Sequence, residues 1–256
     1  MTFDRRGHRR LGAFLWGEVV DLPDAVGHPA FPVTMEALVS RNGGTVLDAA
    51  RAALERHEVE ACVVPDARLL VPLLPASYRS DDASEATRRI AGPDAEVPWP
   101  AGAGWLDYLP KVAAVLRRTV AKGDVGAAET SVFGYTLVND WAVRDASGDP
   151  TADPEALPFA IGPCVVTPDE VDPQTMTLAV RVDGEQWAKG TLNGTATDVM
   201  ATVRAATRLD ELEAGETFAS SPFDVHRQEQ RVWPGATIEL EAEGVGVLRN
   251  RVGRPG

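Results

Sequence analysis

The sequence predicts an α+β fold dominated by β-sheet, with a small N-terminal subdomain ahead of a larger domain. Short apolar and β-branched runs recur along most of the chain, whereas helical spacing is confined to a few segments. Strands and helices do not alternate regularly, which argues against repeated βα units. The 256 residues suffice for one large domain and a small appendage. We place residues 1–70 in the subdomain, serving packing or dimer contact, and residues 71–256 in the larger domain.

Residues 1–70 are predicted to contain two strands and two helices. Residues 11–22 form two short apolar runs around a Gly-Glu turn, which is typical of a hairpin. Residues 34–38 and 46–57 have helical spacing. In the second helix the apolar side chains share one face, which comprises Leu47, Ala50, Ala53 and Leu54.

Strands dominate the larger domain. Residues 106–116 predict a strand in which Pro110, lacking an N–H, restricts the first half to a sheet edge or a bulge. Residues 129–145 predict a central strand that breaks at Asn139 and Asp140. Loops are expected over residues 90–104, 146–158 and 223–231, and residues 77–88 are expected to form a loop that runs into a helix. Further strands are expected at residues 163–167, 176–187 (with an Asp-Gly hairpin turn), near 217, at 236–242 and at 246–252, with one helix over residues 197–208.

Composition excludes several classes of protein. Hydrophobic residues make up 44% and charged residues 25%, and no apolar run is long enough to cross a membrane. The net charge of −13 argues against binding to a nucleic-acid backbone, which requires a basic surface. Residues 1–10 are charged and lack the apolar core of a signal peptide, so a cytoplasmic location is expected. Cys62 and Cys164 lie far apart in apolar runs and are expected to be buried, unpaired thiols.

The chain is organised around residues 133–145, an apolar and aromatic run that changes to polar residues. A carboxylate at the mouth of a buried strand is costly to desolvate, so Asp140 is expected to have a cation, a metal or a hydrogen-bond donor beside it. With segments spread over nearly the whole chain, this run resembles the fumarylacetoacetate hydrolase family. The segments that carry the resemblance are Leu11-Gly-Ala-Phe-Leu, Val19-Val-Asp-Leu, Leu106-Asp-Tyr, Val112-Ala-Ala-Val, Gly134-Tyr-Thr-Leu-Val-Asn-Asp-Trp-Ala-Val-Arg-Asp, Ile161-Gly-Pro-Cys-Val-Val-Thr-Pro-Asp-Glu, Asp183-Gly-Glu, Leu212-Glu-Ala-Gly-Glu, Trp233-Pro-Gly and Gly244-Val-Gly-Val-Leu-Arg-Asn-Arg-Val.

The resemblance implies a rolled mixed β-sheet, a homodimer and a small-molecule substrate. Members of the family bind Mg²⁺ or Ca²⁺ through carboxylates and cleave, hydrate, decarboxylate or isomerise small oxo-acids. In such enzymes the metal polarises carbonyl and enolate oxygens, and a His–Glu pair can activate water.

The family's metal-binding positions are largely replaced in this sequence. By the resemblance, Leu109 and Lys111 occupy the two positions of a Glu-x-Glu motif, and Asp140 is the one usual ligand that remains. A single carboxylate cannot replace the several oxygens that Mg²⁺ or Ca²⁺ requires. No metal and no other cofactor is therefore expected, and Mg²⁺ or Ca²⁺ would bind only if this alignment is wrong.

Three further family positions also differ. Ser80 aligns with a loop carboxylate, Thr87 with the catalytic histidine, and Glu155 with a lysine. Carboxylates that would replace the missing ligands in a shifted alignment are Asp81, Asp82 and Glu85, against the simpler interpretation of solvated loop charges.

We predict that the Lys111 ammonium lies where the family's metal would be and pairs with Asp140. The pair would stabilise an enolate electrostatically, or Lys111 would act as an acid or base. The alternative is a structural salt bridge that fills an inactive site. Glu155 is a third catalytic candidate, as a base, against a solvated loop acid. Residues expected to bind substrate are Ser80, Asp82, Thr87, Tyr108, Leu109, Trp141, Ser220 and Ser221.

Three functions are compatible with the sequence. The first is a metal-independent enzyme that acts on a small or polyketide-like 1,3-dicarbonyl or oxo-acid by isomerisation, cyclisation, decarboxylation or C–C cleavage. The second is a catalytically silent homologue that binds a ligand or a partner. The third is an ordinary Mg²⁺-dependent hydrolase whose ligands lie elsewhere.

Overall fold

The computed structural model describes residues 1–41, 44–80, 89–149, 157–191, 199–222 and 231–255. Its α-helices are α1 (Leu22–Val26), α2 (Met35–Ser40), α3 (Gly44–Leu54), α4 (Val125–Glu129) and α5 (Val199–Leu209), and a 3₁₀ helix spans His57–Cys62. Its strands are β1 (Thr2–Arg5), β2 (His8–Leu15), β3 (Glu18–Asp21), β4 (Val63–Val64), β5 (Leu69–Leu70), β6 (Tyr78–Arg79), β7 (Ile90–Ala91), β8 (Glu96–Val97), β9 (Trp105–Leu116), β10 (Val132–Arg144), β11 (Phe159–Val166), β12 (Thr177–Val182), β13 (Glu185–Thr191), β14 (Thr217–Ala219), β15 (Thr237–Ala242) and β16 (Gly246–Val252). The predicted α+β class is confirmed.

The N-terminal sheet contains the predicted hairpin. Its strand order is β4-β3-β2-β1-β5, and β2 and β3 are joined by a tight turn at Trp16 and Gly17. Both turn residues have positive φ, 53° and 85°, the conformation that a two-residue hairpin of the right-handed twist requires. Trp16 is an unusual residue for this conformation, and its side chain is 68% exposed.

The N-terminal helices pack onto the rest of the protein. In α3 the predicted apolar face is correct, because Ala50 and Ala53 are buried and the leucines beside them are half-buried. The core of this layer also includes Val115 of β9 and Phe133 of β10. Residues 1–70 therefore share a core with the larger sheet, and the domain boundary stays a prediction.

The central sheet has six strands in the order β6-β14-β9-β10-β11-β7. The pairing of β9 with β10 extends from Leu116 opposite Val132 to Trp105 opposite Arg144. The prediction that β10 breaks at Asn139 and Asp140 is wrong, since the strand continues to Arg144. A long partner strand holds this segment extended, and the fold supplies partners for these polar side chains.

The prediction of a loop over all of residues 90–104 is wrong in part, because it depended on the local abundance of Pro, Gly and Ala. This segment contains the two-residue strands β7 and β8, which pair in parallel with β11 and β16 at the edges of two sheets. β14 ends at Ala219 opposite Ala113, and Leu106 in the first half of β9 forms an isolated bridge with Val232. The edge or bulge expected at Pro110 stays a prediction.

A third sheet, in the order β13-β12-β15-β16-β8, covers one face of the central sheet. The predicted Asp183-Gly184 turn joins β12 to β13, with both residues at positive φ. The main hydrophobic core lies between this sheet, the central sheet and α5.

In the described ranges, none of the helices is both long and apolar enough to span a membrane. Cys62 and Cys164 are unpaired, as predicted, although both are half-buried.

Candidate active site

Lys111 and Asp140 meet on one face of the central sheet. Lys111 pairs with Val138 in the β9–β10 ladder, and Asp140 lies two residues further along β10. Because side chains alternate between the two faces of a sheet, all three project to the same side. The Nζ atom of Lys111 lies 2.7 Å from Oδ2 of Asp140, and the two side chains are only 5% and 6% exposed. The contact that the sequence predicted is therefore a short, buried ion pair.

The surroundings of this pair are largely apolar. A small cluster on the same face comprises Tyr78, Ala113, Val138, Phe159, Ile161 and Ala219. Attraction between opposite charges is stronger in such surroundings than in water, but each charge loses its hydration. Each of the two charged groups is therefore stabilised by the other at this position.

Tyr78 is a third member of the site that the sequence did not indicate. Its hydroxyl donates to Oδ2 of Asp140 over 3.1 Å. Its ring stacks on Phe159, with 4.1 Å between ring centroids and an interplanar angle of 16°. Tyr78 comes from β6, which reaches the site only because it pairs with β14. The sequence signal for Tyr78 was its position two residues before Ser80, at the start of a polar segment.

Side chains hold the backbone on both sides of Lys111. Pro110 has no N–H, and the N–H of Leu109 donates to Oδ1 of Asn139 over 3.1 Å. The N–H of Val112 donates to the Ser220 hydroxyl over 3.2 Å. A serine and an asparagine thus supply acceptors to backbone N–H groups around the lysine.

The other predicted site residues divide between the two faces of the sheet. Leu109 is half-buried and lies directly opposite Asp140. Tyr108 and Trp141 pair with each other and project to the opposite face, into the main core. Their predicted role in substrate binding thus concerns a different side of the sheet from the ion pair.

Tyr108 belongs to an aromatic group on that opposite face. Its ring centroid is 6.3 Å from that of Trp187, which in turn is 5.7 Å from that of Trp233. Burial, and to a lesser extent the carboxylate of Asp107, raises the pKa of the Tyr108 hydroxyl to about 12.

The remaining candidates lie at the ends of short strands or outside the described residues. Ser80 is half-buried and directly follows β6. Ser220 is buried, and its hydroxyl donates to the carbonyl of Ser221 over 2.8 Å. Predicted residues that lie outside the described residues are Asp81, Asp82, Glu85, Thr87 and Glu155.

The donors that the described residues place around Asp140 do not fit Mg²⁺ or Ca²⁺. Both ions bind several oxygen ligands, whereas the described neighbours of Asp140 on β9 include Leu109, which lies opposite it, and the ammonium group of Lys111. Oδ2 of Asp140 already accepts from Lys111 and Tyr78. Across the part of the chain that the structure describes, no group of three or more His, Cys, Asp or Glu side chains is arranged to hold a metal ion.

Comparisons with known proteins agree with this architecture. Residues 83–253, about two-thirds of the chain, match the family model described as fumarylacetoacetate (FAA) hydrolase C-terminal. The chain is 27% identical over 154 residues to the 4-hydroxyphenylacetate degradation bifunctional isomerase/decarboxylase of Salmonella dublin, covering 58% of this chain and 35% of that protein. It is 25% identical over 259 aligned positions to the 2,4-didehydro-3-deoxy-L-rhamnonate hydrolase of a Sphingomonas species, covering 94% of this chain and 83% of that protein.

A solved structure shares the fold over almost the full length. The fumarylacetoacetate hydrolase of Exiguobacterium antarcticum superimposes with a TM-score of 0.76 at 22% identity, covering 99% of this chain and 98% of that chain. Several curated relatives are longer than the region that they share, and the chain spans 62% of one and 58% of another. The family model and the fold lead to one conclusion: the chain belongs to the fumarylacetoacetate hydrolase family, as a divergent member.

Proposed function

We propose that this protein is an enzyme that acts on a small 1,3-dicarbonyl or oxo-acid through an enolate, without a divalent metal. The observation that supports this most directly is the buried contact between Lys111 and Asp140 on an apolar face. Relatives of the chain are named as a hydrolase and as an isomerase/decarboxylase, which favours an enzyme in general but does not select the reaction.

In this proposal the Lys111 ammonium supplies the positive charge. A carbonyl oxygen that gains negative charge as an enolate forms is stabilised by a fixed cation or hydrogen-bond donor. The effect is larger in a site with little water, because the local dielectric is low. Asp140 holds the ammonium in place, and the Tyr78 hydroxyl orients the carboxylate.

The burial of the same ion pair favours a second function, that of a catalytically silent family member. Both side chains are almost fully buried, as in a structural salt bridge. The protein would then be a catalytically silent member of the family that binds a small molecule or a partner. We expect a homodimer under either proposal, and light scattering after size-exclusion chromatography tests that assembly.

One experiment separates these functions. Acylpyruvates, β-diketones and oxo-acids are screened with the wild-type protein in EDTA and, separately, in Mg²⁺, Mn²⁺ and Ca²⁺. The proposed enzyme turns over a substrate equally in EDTA and in metal. Turnover that EDTA abolishes and Mg²⁺ restores would reject metal independence.

The variant Lys111→Met/Asp140→Leu serves as the matched control. It removes both charges together, so no unpaired charge is left buried. We expect it to stay folded and to lose turnover. Full turnover in this variant would place the chemistry elsewhere, and the absence of any turnover in the wild-type protein across the screen would favour the silent homologue.

A further inference from the structure

One cavity of the protein is lined by neither Lys111 nor Asp140. It is a cleft of about 580 Å³ between α2 and α3 on one side and the beginning of β10 on the other. Its apolar wall includes Leu38, Leu47 and Phe133. Tyr135 also lines the cleft, and it precedes Asp140 by five residues, which is about 16 Å along an extended strand. The cleft is therefore distinct from the candidate active site.

Most charged groups in this cleft are paired. Arg51 contacts Asp169 at 2.7 Å across the mouth of the cleft. Glu129 contacts Arg204 at 3.3 Å. Of the charged residues that line the cleft, these two pairs leave one without an oppositely charged partner among the described residues.

That side chain is Arg117, which directly follows β9. Its Nη2 atom donates to the carbonyl of Thr130 over 2.7 Å. Its Nε atom is buried and has no hydrogen-bond partner. Among the described residues, no carboxylate forms an ion pair with its guanidinium. A half-buried cation without a counter-charge is unfavourable, and an anion that enters the cleft would relieve this.

We propose that the cleft binds a small organic monoanion, whose carboxylate contacts Arg117 and whose aromatic or aliphatic part packs against Leu47 and Phe133. Guanidinium groups bind carboxylates through charge-assisted hydrogen bonds, and Arg117 lines the cleft without a carboxylate partner among the described residues. The volume suits a small ligand, and the lining combines an apolar wall with charged groups, of which Arg117 is the cation left without a carboxylate partner among the described residues. This site would be separate from the proposed enolate chemistry.

The test uses benzoate as the probe and benzamide as its uncharged counterpart, both titrated by calorimetry. Arg118→Gln is the matched control for Arg117→Gln, because the neighbouring guanidinium binds Ser131 and the Thr130 hydroxyl and does not line the cleft. We expect benzoate to bind the wild-type protein and Arg118→Gln equally. Arg117→Gln should bind benzoate about tenfold or more weakly, as should the wild-type protein with benzamide.

A second variant covers the case in which Arg117→Gln does not fold. Leu47→Asp places a negative charge in the apolar wall and should also abolish binding of benzoate. The double variant of the ion pair, Lys111→Met/Asp140→Leu, should bind benzoate normally. Absence of saturable binding at millimolar benzoate would overturn the proposal. So would equal binding by Arg117→Gln and Arg118→Gln, or loss of binding in the ion-pair variant.

Discussion

Removing one member of the Lys111–Asp140 pair should destabilise the protein far more than removing both. Each side chain is about 95% buried, so a single truncation leaves the other charge buried without the counter-charge that it contacts in the wild type. Breaking a buried pair in this way typically costs about 3–5 kcal/mol, whereas replacing both charges with apolar groups is often neutral or stabilising. The two perturbations therefore have clearly different expected outcomes.

The structure also ranks the two single variants. In Lys111→Met the remaining carboxylate keeps its hydrogen bond from Tyr78, so we expect a loss near the lower end, about 3 kcal/mol. In Asp140→Leu the ammonium loses its carboxylate, and we expect a loss near the upper end, about 5 kcal/mol. For a chain of this length these losses correspond to a melting temperature lower by roughly 6–20 °C.

Urea denaturation of the wild type, both single variants and the double variant measures this as a thermodynamic cycle. The double variant should lie within about 1 kcal/mol of the wild type or above it, so the effects of the single variants should be strongly non-additive. Single variants that each cost less than about 1 kcal/mol, or additive effects in the cycle, would refute the reasoning, because they would indicate a solvated pair.

Three further predictions concern other parts of the fold. Burial and Asp107 raise the pKa of Tyr108 from about 10 to about 12, so its absorbance change should occur near pH 12 and be missing from Tyr108→Phe. Because the unfolded chain ionises first, stability should fall as the pH rises from about 10 to 12, and a titration near 10 would contradict this. Trp16→Asn should raise the free energy of unfolding by about 0.5–1 kcal/mol, since asparagine suits positive φ, and an unchanged urea midpoint would argue against strain in the turn. Gly134→Ala should cost about 1–3 kcal/mol, because a Cβ atom there would lie 2.5 Å from the carbonyl oxygen of Val166, and a variant as stable as wild type would contradict that close approach.

The sequence predicted much of the fold because most strands carry their signal locally. The paired runs of β9 and β10, the Asp183-Gly184 turn and the last two strands depend on short patterns of apolar and turn residues. The contact between Lys111 and Asp140 was also predictable, since the resemblance places both at positions that share one site. In each case the information lies within a few residues or within the family pattern.

The parts that were missed depend on tertiary contacts. Tyr78 reaches Asp140 through a two-residue strand, and nothing within residues 77–80 indicates its parallel pairing with β14. The continuation of β10 beyond Asn139 depends on the length of its partner strand, because the local polar pattern indicates an end. The placement of Tyr108 and Trp141 on the opposite face follows from the strand register, which sequence alone left open.

Asn139 and Ser220 accept hydrogen bonds from backbone N–H groups on either side of Lys111, so substitutions at these two positions can alter the site indirectly. Neither side chain touches the lysine's ammonium in the contacts described above, yet both fix the peptide units from which it extends. A substitution at either position could therefore move Lys111 relative to Asp140 while every group with a chemical role stays the same. Under the proposed function, drift in substrate preference among close homologues would then arise from the scaffold around the charge, with no replacement of the charge itself.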